Sequence, residues 1–328
     1  MEQLGTFPNC AGGIKMFYID SHCDTLSKAL DTGKDLLKND LQFSIDEANK
    51  VGGGIQVMAC FIDTHFLNAL NGGFERCNKI LNKFKDFQKV NNVNILVKNK
   101  NDIIDAINSN ETKVILSIEN GAAISGNLDN VDYFYNEGIR IMSITWNDDN
   151  ELGCGAKTKN DTGLTKLGFE YVKKLSEKGI IIDVSHLSEK SFWNVINTTE
   201  KPVVATHSNV YELCNHSRNL KDNQIKEIAR RGGMIGICFY SDFLNSEKNA
   251  DVRDIVKHIK YIKDLVGIDC IGLGSDFDGM SYEKTVKGVC NISEIHNIMD
   301  EMKFQGFSCE EIVKVMWKNW ADFFMRNL

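Results

Sequence analysis

Three of the seven histidines in this 328-residue chain follow strand-like segments, at positions where acidic residues are also found. His22 and Asp24 come after the first such segment, and a spacing of two places both side chains on the same face of an extended chain. Glu119, His186 and His207 come at the ends of later segments. Imidazole and carboxylate groups bind zinc and similar divalent ions, so this set predicts a metal centre.

Each of these residues, taken alone, has a simpler interpretation. A His-x-Asp pair is more often a hydrogen-bonded surface pair, and Glu119 alone would be a helix N-cap or a loop carboxylate. Single histidines such as His186 and His207 are often core or loop residues. Their joint occurrence at strand ends, beside acids, favours metal binding.

Five ligands are too many for one tetrahedral ion that keeps a position open for water. A carboxylate can bridge two ions about 3.5–4 Å apart, so Glu119 is the expected bridge, with the His-x-Asp pair on one ion and the other two histidines on the second. We expect Zn²⁺, with Mn²⁺, Co²⁺ and Fe²⁺ as alternatives. A hydroxide formed from water between the ions would be the nucleophile, and Asp276 would pass the proton to the leaving amine.

Other ionisable residues are expected to be structural. The acids beside the predicted ligands are expected to support loops or to hydrogen-bond the ligands, and the remaining histidines are expected to be structural or solvated. These residues are Asp20, Asp183 and Asp278, and His65, His216, His258 and His296.

The predicted ligands depend on strands that bring them together, and eight apolar, β-branched runs can be counted. The runs are Phe17–Asp20, Ile55–Phe61, Val114–Ile118, Ile139–Ile144, Ile180–Val184, Val203–Thr206, Met234–Phe239 and Cys270–Gly274. Near-continuous Val/Ile runs are typical of parallel strands buried on both faces. Eight of them with helical crossovers predict a closed (β/α)₈ TIM barrel, whose active site is built at the carboxyl ends of the strands.

Helical spacing separates the strands, as in Val252, Ile255, Ile259 and Ile262, and glycines mark the expected helix ends. A doubly wound open sheet is the structural alternative, but no Gly-x-Gly-x-x-Gly follows the first strand. We expect one barrel domain over residues 16–328, a loose extension over residues 1–15, and an elaboration with extra helix over about residues 64–110.

Composition excludes several classes of protein. The 38 Lys+Arg and 45 Asp+Glu give a net charge of −7, which argues against a nucleic-acid partner. No apolar run approaches the roughly 18 residues needed to cross a bilayer, so no membrane span is expected. The ten cysteines form no Cys-x-x-Cys pair, and Cys60, Cys238 and Cys270 lie in apolar stretches, which favours reduced thiols in a cytoplasmic protein.

Several motifs occur in an order that resembles the membrane (renal) dipeptidase family, peptidase family M19, in its soluble bacterial branch. The resemblance covers about residues 17–326. It is carried by Asp20-x-His22-x-Asp24, Glu119, Asp183-Val184-Ser185-His186, Thr206-His207-Ser208, Arg218-Asn219 and Gly274-Ser275-Asp276-Phe277-Asp278-Gly279.

The resemblance implies a barrel of the metal-dependent amidohydrolase type with two zinc ions bridged by Glu119. It implies hydrolysis of dipeptides, including those with a C-terminal D-residue, and often a homodimer. It assigns Arg218 to the substrate's C-terminal carboxylate, which a guanidinium fork meets in a bidentate manner. Tyr240 matches a tyrosine that lines the substrate pocket.

The chain departs from the family pattern after the fourth strand. Better-studied animal members carry a histidine there that stabilises the oxyanion, whereas this chain has Trp146, followed by Asn147. Loss of one such donor typically reduces turnover about 10²–10³-fold unless another group replaces it. The indole N–H of Trp146, or the amide of Asn147 or Asn150, is the expected replacement, and Trp146 is expected to narrow the substrate range.

Two other functions remain open from the sequence. Another binuclear amidohydrolase, such as an N-acyl-amino-acid deacylase, a lactonase or a deaminase, could use the same ions, although Arg218 favours a substrate with a free carboxylate. A non-catalytic metal-binding protein is the alternative of another class. Asp276 argues against it, because such a protein would have no chemical reason to keep a proton shuttle.

Overall fold

Eight parallel strands close into a barrel in the order β1 to β8 in a computed structural model that describes residues 16–65, 71–109 and 111–328. The predicted extension over residues 1–15 lies outside the described residues. The barrel itself was predicted from the apolar runs, and this prediction is confirmed. The strands are β1 Tyr18–Cys23, β2 Gly54–Phe61, β3 Lys113–Glu119, β4 Ile139–Ser143, β5 Ile181–Asp183, β6 Val203–Ala205, β7 Met234–Ile237 and β8 Ile271–Leu273.

The first strand differs most from its predicted bounds, because it continues three residues past Asp20 and includes His22. Its pairing with β2 shifts register between Asp20 and Cys23, and Cys23 then forms a bridge to Phe277 beyond β8. Irregularities of this kind commonly re-aim side chains next to active sites. The register shift lies at the carboxyl end of β1, where His22 is located.

Helices cover the outside of the barrel, and the core lies between the two layers. The helices are α1 Thr25–Thr32, α2 Ile45–Lys50, α3 Gly72–Asn91, α4 Lys100–Asn108, α5 Asp129–Glu137, α6 Lys166–Lys178, α7 Glu189–Thr198, α8 Asp222–Arg230, α9 Ser241–Leu244, α10 Val252–Val266, α11 His296–Phe304, α12 Cys309–Val313 and α13 Asn319–Asn327. Helices α3 and α4 provide the extra helical content expected between β2 and β3. A π-helical segment, Lys314–Lys318, joins α12 to α13.

Helix α10 shows how the sequence fixes such a helix. Asp251 caps its first turn, and the side chain of Asp254 completes a capping box. Ile255, Ile259 and Ile262 are fully buried on the face towards the barrel, as the helical spacing predicts.

The barrel interior at the end of β6 has no room for side chains at Gly236 on β7 or at Gly274 just after β8. A Cβ atom added to Gly236 or Gly274 would lie 2.1 or 1.9 Å from the carbonyl oxygen of Thr206. The Ser21 hydroxyl shares its single proton between that same carbonyl, at 2.5 Å, and the carbonyl of Leu273, at 2.8 Å. These close contacts fix the strand end that carries His207.

Eight cysteine thiols are free in the described part of the chain, among them those of Cys60, Cys238 and Cys270, which lie in apolar stretches of the sequence and are buried. Cys309 is the exception, because it takes part in a disulfide, which corrects the expectation that all the cysteines are reduced. Among the described residues, no helix combines the length and apolar character that crossing a membrane requires.

Candidate metal centre

The five predicted metal ligands meet at the carboxyl ends of the strands, and Glu119 lies between them. Its Oε1 is 2.8 Å from Nε2 of His186 and 3.8 Å from Nε2 of His207, whereas its Oε2 is 3.4 Å from Nε2 of His22. Each carboxylate oxygen therefore faces a different group of histidines. This is the arrangement that a bridging carboxylate requires.

The remaining ligand, Asp24, lies beside His22, with Oδ2 3.6 Å from the His22 Nε2. We call His22, Asp24, Glu119, His186 and His207 the ligand cluster. Two groups within it have ligand atoms that all lie within 4.8 Å of one another, and the two groups share only Glu119. These groups match the two predicted ion sites. Asp276, the predicted proton shuttle, lies equally near and forms a third such group with His22 and His207, with its Oδ1 3.8 Å from the His22 Nε2.

The chemistry of the donor atoms tests whether this cluster suits a cation. The His22 Nε2 and the Asp24 Oδ1 are buried without a hydrogen-bond partner, which is costly unless another group satisfies them. The Nε2 atoms of His186 and His207 lie 2.7 Å apart. These buried nitrogen and oxygen atoms lie close together, and there are too few protons between them to form hydrogen bonds. Such a set of lone pairs suits divalent cations.

Neighbouring side chains orient two of the histidines towards the cluster. The Asn147 Oδ1 is 3.0 Å from Nδ1 of His186 and can only accept, so Nδ1 carries the proton. For His207, Nδ1 is 2.9 Å from the Thr206 hydroxyl, which itself donates to Asp183 at 2.6 Å. A hydroxyl that donates its single proton elsewhere must accept here. Both Nε2 atoms are therefore left with lone pairs for a metal ion.

Burial and crowding of like charges shift the pKa values of the acids. Burial, together with the charge of Asp24, raises the pKa of Glu119 to about 8 and that of Asp276 to about 7. Carboxylates with raised pKa values are stabilised as anions when a cation binds between them.

The pKa values of the three histidines in the ligand cluster are shifted in different directions. Burial lowers the pKa of His186 and of His207, with a further contribution from the charges of Arg218 and His22 respectively. Burial opposes protonation of His22 as well, but the charge of Glu119 and the contact with Asp24 raise the pKa of that imidazole. Two imidazoles are therefore held neutral, which is the form that binds metals.

A cavity of about 460 Å³, which we call the active-site cavity, opens above the ligand cluster. All four predicted substrate-binding residues line it: Arg218, Trp146, Asn147 and Tyr240. Arg218 is buried; its Nη2 donates to the His207 carbonyl at 3.2 Å, and its Nε has no hydrogen-bond partner. The guanidinium is thus held in place with a donor left over. Asn147, in contrast, directs its side-chain oxygen to His186.

Several residues of the cavity wall were missed by the sequence analysis. His216 was expected to be structural or solvated, but it lines the cavity. Its ring packs at a tilt against Phe243, with the ring centres 4.5 Å apart, and it accepts a hydrogen bond from the Arg218 backbone N–H. Its position two residues before Arg218 was the available signal. Phe61, at the end of β2, packs 5.3 Å from Trp146. It was overlooked because an aromatic residue is not a metal ligand.

A closed (β/α)₈ barrel with metal-ligand side chains at the carboxyl ends of its strands is typical of metal-dependent hydrolases. The model of one family, membrane dipeptidase (peptidase family M19), matches residues 14–324. The chain belongs to this family of dipeptidases and metallopeptidases, as the motifs in the sequence predict.

Two relatives are similar to this chain in sequence. An uncharacterized dipeptidase of Schizosaccharomyces pombe is 27% identical over 288 residues, which are 81% of this chain and 69% of that protein. An uncharacterized protein of Klebsiella pneumoniae, from the region 5′ of pqqA, is 33% identical over 217 residues, 63% of this chain and 79% of its own length.

Solved structures share the fold. A Rhodobacter sphaeroides metallopeptidase liganded with a phosphinate mimic of L-Ala-D-Ala has a TM-score of 0.86 at 20% identity, with 96% of this chain and 100% of that chain covered. The M19 dipeptidase AC has a TM-score of 0.85 at 22% identity, with 95% and 99% covered. At these identities the likeness shows the fold alone.

Proposed function

We propose that this protein is a dipeptidase that holds two divalent metal ions, Zn²⁺ first among the candidates, and hydrolyses the peptide bond of dipeptides with a free C-terminal carboxylate. The proposal rests on the position of Glu119 between the two proposed ion sites. Its two carboxylate oxygens face different histidines at the base of the cavity that Arg218 also lines. Metal ligands and a carboxylate-binding group are therefore within reach of one small substrate.

The residues that would hold the ions are His22 and Asp24 on one side, His186 and His207 on the other, and Glu119 between them. When bound, the ions supply Lewis acidity, which polarises the scissile carbonyl and lowers the pKa of water. Imidazole and carboxylate ligands in this ratio suit Zn²⁺.

Arg218 would bind the substrate's C-terminal carboxylate, since its fixed guanidinium keeps one donor unsatisfied. Asp276 would move the proton, because its carboxylate lines the cavity next to His22 without belonging to either ion group proposed here. Trp146 would contribute its indole N–H to the developing oxyanion, and with Phe61 it forms an aromatic part of the cavity wall.

We extend the proposal to dipeptides with a C-terminal D-residue, supported by the L-Ala-D-Ala mimic carried by the Rhodobacter sphaeroides neighbour. The free thiols in most of the described chain are compatible with a cytoplasmic enzyme, and a homodimer is the expected assembly. The alternative activities, those of a deacylase or a lactonase on a related substrate, are distinguished by the test below.

The test measures metal content by elemental analysis beside hydrolysis of L,L-, L,D- and N-blocked dipeptides. We expect about two ions per chain and hydrolysis of the free dipeptides. Asp276→Asn should keep the ions and lose hydrolysis. Asp242→Asn, which removes a cavity carboxylate already paired with Lys284, is the matched control and should keep both. Cleavage of substrates without a free carboxylate would instead favour the deacylase-type function.

A further inference from the structure

Each acidic side chain that lines the active-site cavity already contacts or hydrogen-bonds another group of the protein. Three of them, Asp24, Glu119 and Asp276, belong to or contact the ligand cluster. The others are held by partners outside the cluster. Asp31 is bound by Arg76 through two hydrogen bonds of 2.6 and 2.7 Å, Asp242 is bound by Lys284 at 2.9 Å, and Asp278 accepts hydrogen bonds from a threonine hydroxyl and a backbone N–H.

The basic side chains of the same wall have no such partners. Lys28, Lys157 and Arg218 line the cavity, and none of them forms an ion pair within the part of the chain that the structure describes. Lys157 is exposed, and its Nζ lies 5.8 Å from the centre of the Trp146 ring. The free charge of the wall is therefore positive, although the chain as a whole carries −7.

Two of these cations lie on the same side of the cavity. Lys157 follows β4 and Arg218 follows β6, whereas Lys28 lies on α1, after β1, across the eight-stranded barrel. Lys157 lies over the Trp146 ring, whose centre is 6.2 Å from that of the His186 ring. Arg218 donates to the carbonyl of His207, whose ring centre is 4.8 Å from that of His186, so both cations lie near His186. A substrate carboxylate bound to Arg218 would thus bring its own residue's side chain towards Lys157.

We infer that Lys157 makes the enzyme selective for dipeptides whose C-terminal residue has an acidic side chain, aspartate or glutamate. The inference rests on the proposed function and specifies its substrate class: Arg218 takes the α-carboxylate and Lys157 takes the side-chain carboxylate. Two anionic groups on one residue match two unpaired cations on one wall. A neutral side chain of the same size would leave Lys157 without a partner.

The test compares L-Ala-L-Glu with the near-isosteric L-Ala-L-Gln in the metal-loaded enzyme, as a ratio of kcat/KM values. An exposed ion pair predicts a preference for glutamate of about three- to fivefold at low salt, which added NaCl should reduce. Lys157→Met should bring the ratio close to one. Lys159→Met is the matched control, because Lys159 is exposed in the same loop but does not line the cavity, and it should keep the wild-type ratio.

Three results would overturn the inference: equal rates for the two substrates in the wild type, an unchanged ratio in Lys157→Met, or an equal loss in Lys159→Met. A preference for L-Glu-L-Ala over L-Gln-L-Ala that Lys28→Met abolishes, with no preference at the C-terminal residue, would also overturn it and assign acid recognition to Lys28. Failure to hydrolyse either substrate would refute the proposed function itself, so the two failures are distinguishable.

Discussion

The Thr206 hydroxyl joins His207, a proposed metal ligand, to the buried acid Asp183, and its removal tests how the ligand cluster is oriented. Its single proton goes to Asp183 Oδ2 at 2.6 Å, so its oxygen accepts from the Nδ1–H of His207 at 2.9 Å. That hydrogen bond fixes the tautomer in which the His207 Nε2 faces Glu119 with a lone pair.

Thr206→Val keeps the shape of the side chain and removes the hydroxyl. Asp183 Oδ1 keeps two backbone donors, those of Ser185 at 2.9 Å and residue 206 at 3.0 Å, so only Oδ2 loses its partner. His207 Nδ1 loses its acceptor as well. Each buried unsatisfied group costs about 1–3 kcal/mol, so the two groups together predict a decrease of about 2–6 kcal/mol in the free energy of unfolding. Metal affinity should fall about 10–100-fold.

The assay separates these two effects. Urea unfolding of the metal-free protein measures stability, and competition with a chelator of known affinity measures metal binding. Thr206→Ser, which keeps the hydroxyl, should stay close to the wild type in both. Thr145→Val is the second control, because the Thr145 hydroxyl donates only to the backbone carbonyl of His186, at 3.2 Å. It should lower stability and leave metal affinity largely unchanged.

Either of two results would refute the proposed role of the Thr206 hydroxyl. If Thr206→Val loses stability but binds the metal with wild-type affinity, the hydroxyl supports the barrel alone and does not orient His207. An equal loss of affinity in Thr145→Val would show that any loosening of these strand ends weakens binding, and the specific role of the tautomer would then be wrong.

Two further predictions concern acid stability and substrate range. His258 accepts from the Val210 N–H at 3.0 Å and lies 2.9 Å from the Leu244 carbonyl, and burial lowers its pKa to about 4. Because this folded value lies below the unfolded value of about 6.5, its stabilisation is complete above about pH 6.5 and is lost as the pH falls towards 4. Urea unfolding of His258→Asn should therefore show a smaller loss of stability between pH 7 and 4.5 than the wild type, and an equal loss would contradict this. Trp146→Ala or Trp146→His should change relative rates across a dipeptide panel, and unchanged relative rates would show that the indole does not select substrates.

The barrel could be predicted because most strands are short apolar, β-branched runs, and several of them are followed by a polar residue. In β3, for example, the apolar run Val114–Ile118 ends at Glu119, so one pattern gives both the strand and the position of its ligand. The side chains at the carboxyl ends of parallel strands must share one rim once the barrel closes. Fold and ligand set therefore follow from the same observation.

The contacts that orient the ligands could not be predicted in the same way. Asn147 is 39 residues from His186, and Asp183 reaches His207 only through the rotamer of Thr206. His216 lines the cavity because its loop folds back onto Phe243. These contacts depend on how the loops pack against one another after the strands are formed. The local periodicity of the sequence does not predict such packing.

Backbone strain gives an independent reason to regard the loop after β8 as functional. Asp276 and Asp278 have φ values of 64° and 68°, in the left-handed region, which costs a residue with a Cβ about 1–2 kcal/mol. Glycine would relieve the strain but would lose both carboxylates. Asp278 uses its own to accept from Gln42 N–H at 3.0 Å and Thr25 at 2.5 Å, while its N–H donates to the Gln42 amide oxygen at 2.8 Å. The strained turn is thereby clamped to the segments around α1, and this clamp holds Asp276 over His22 at the edge of the cavity.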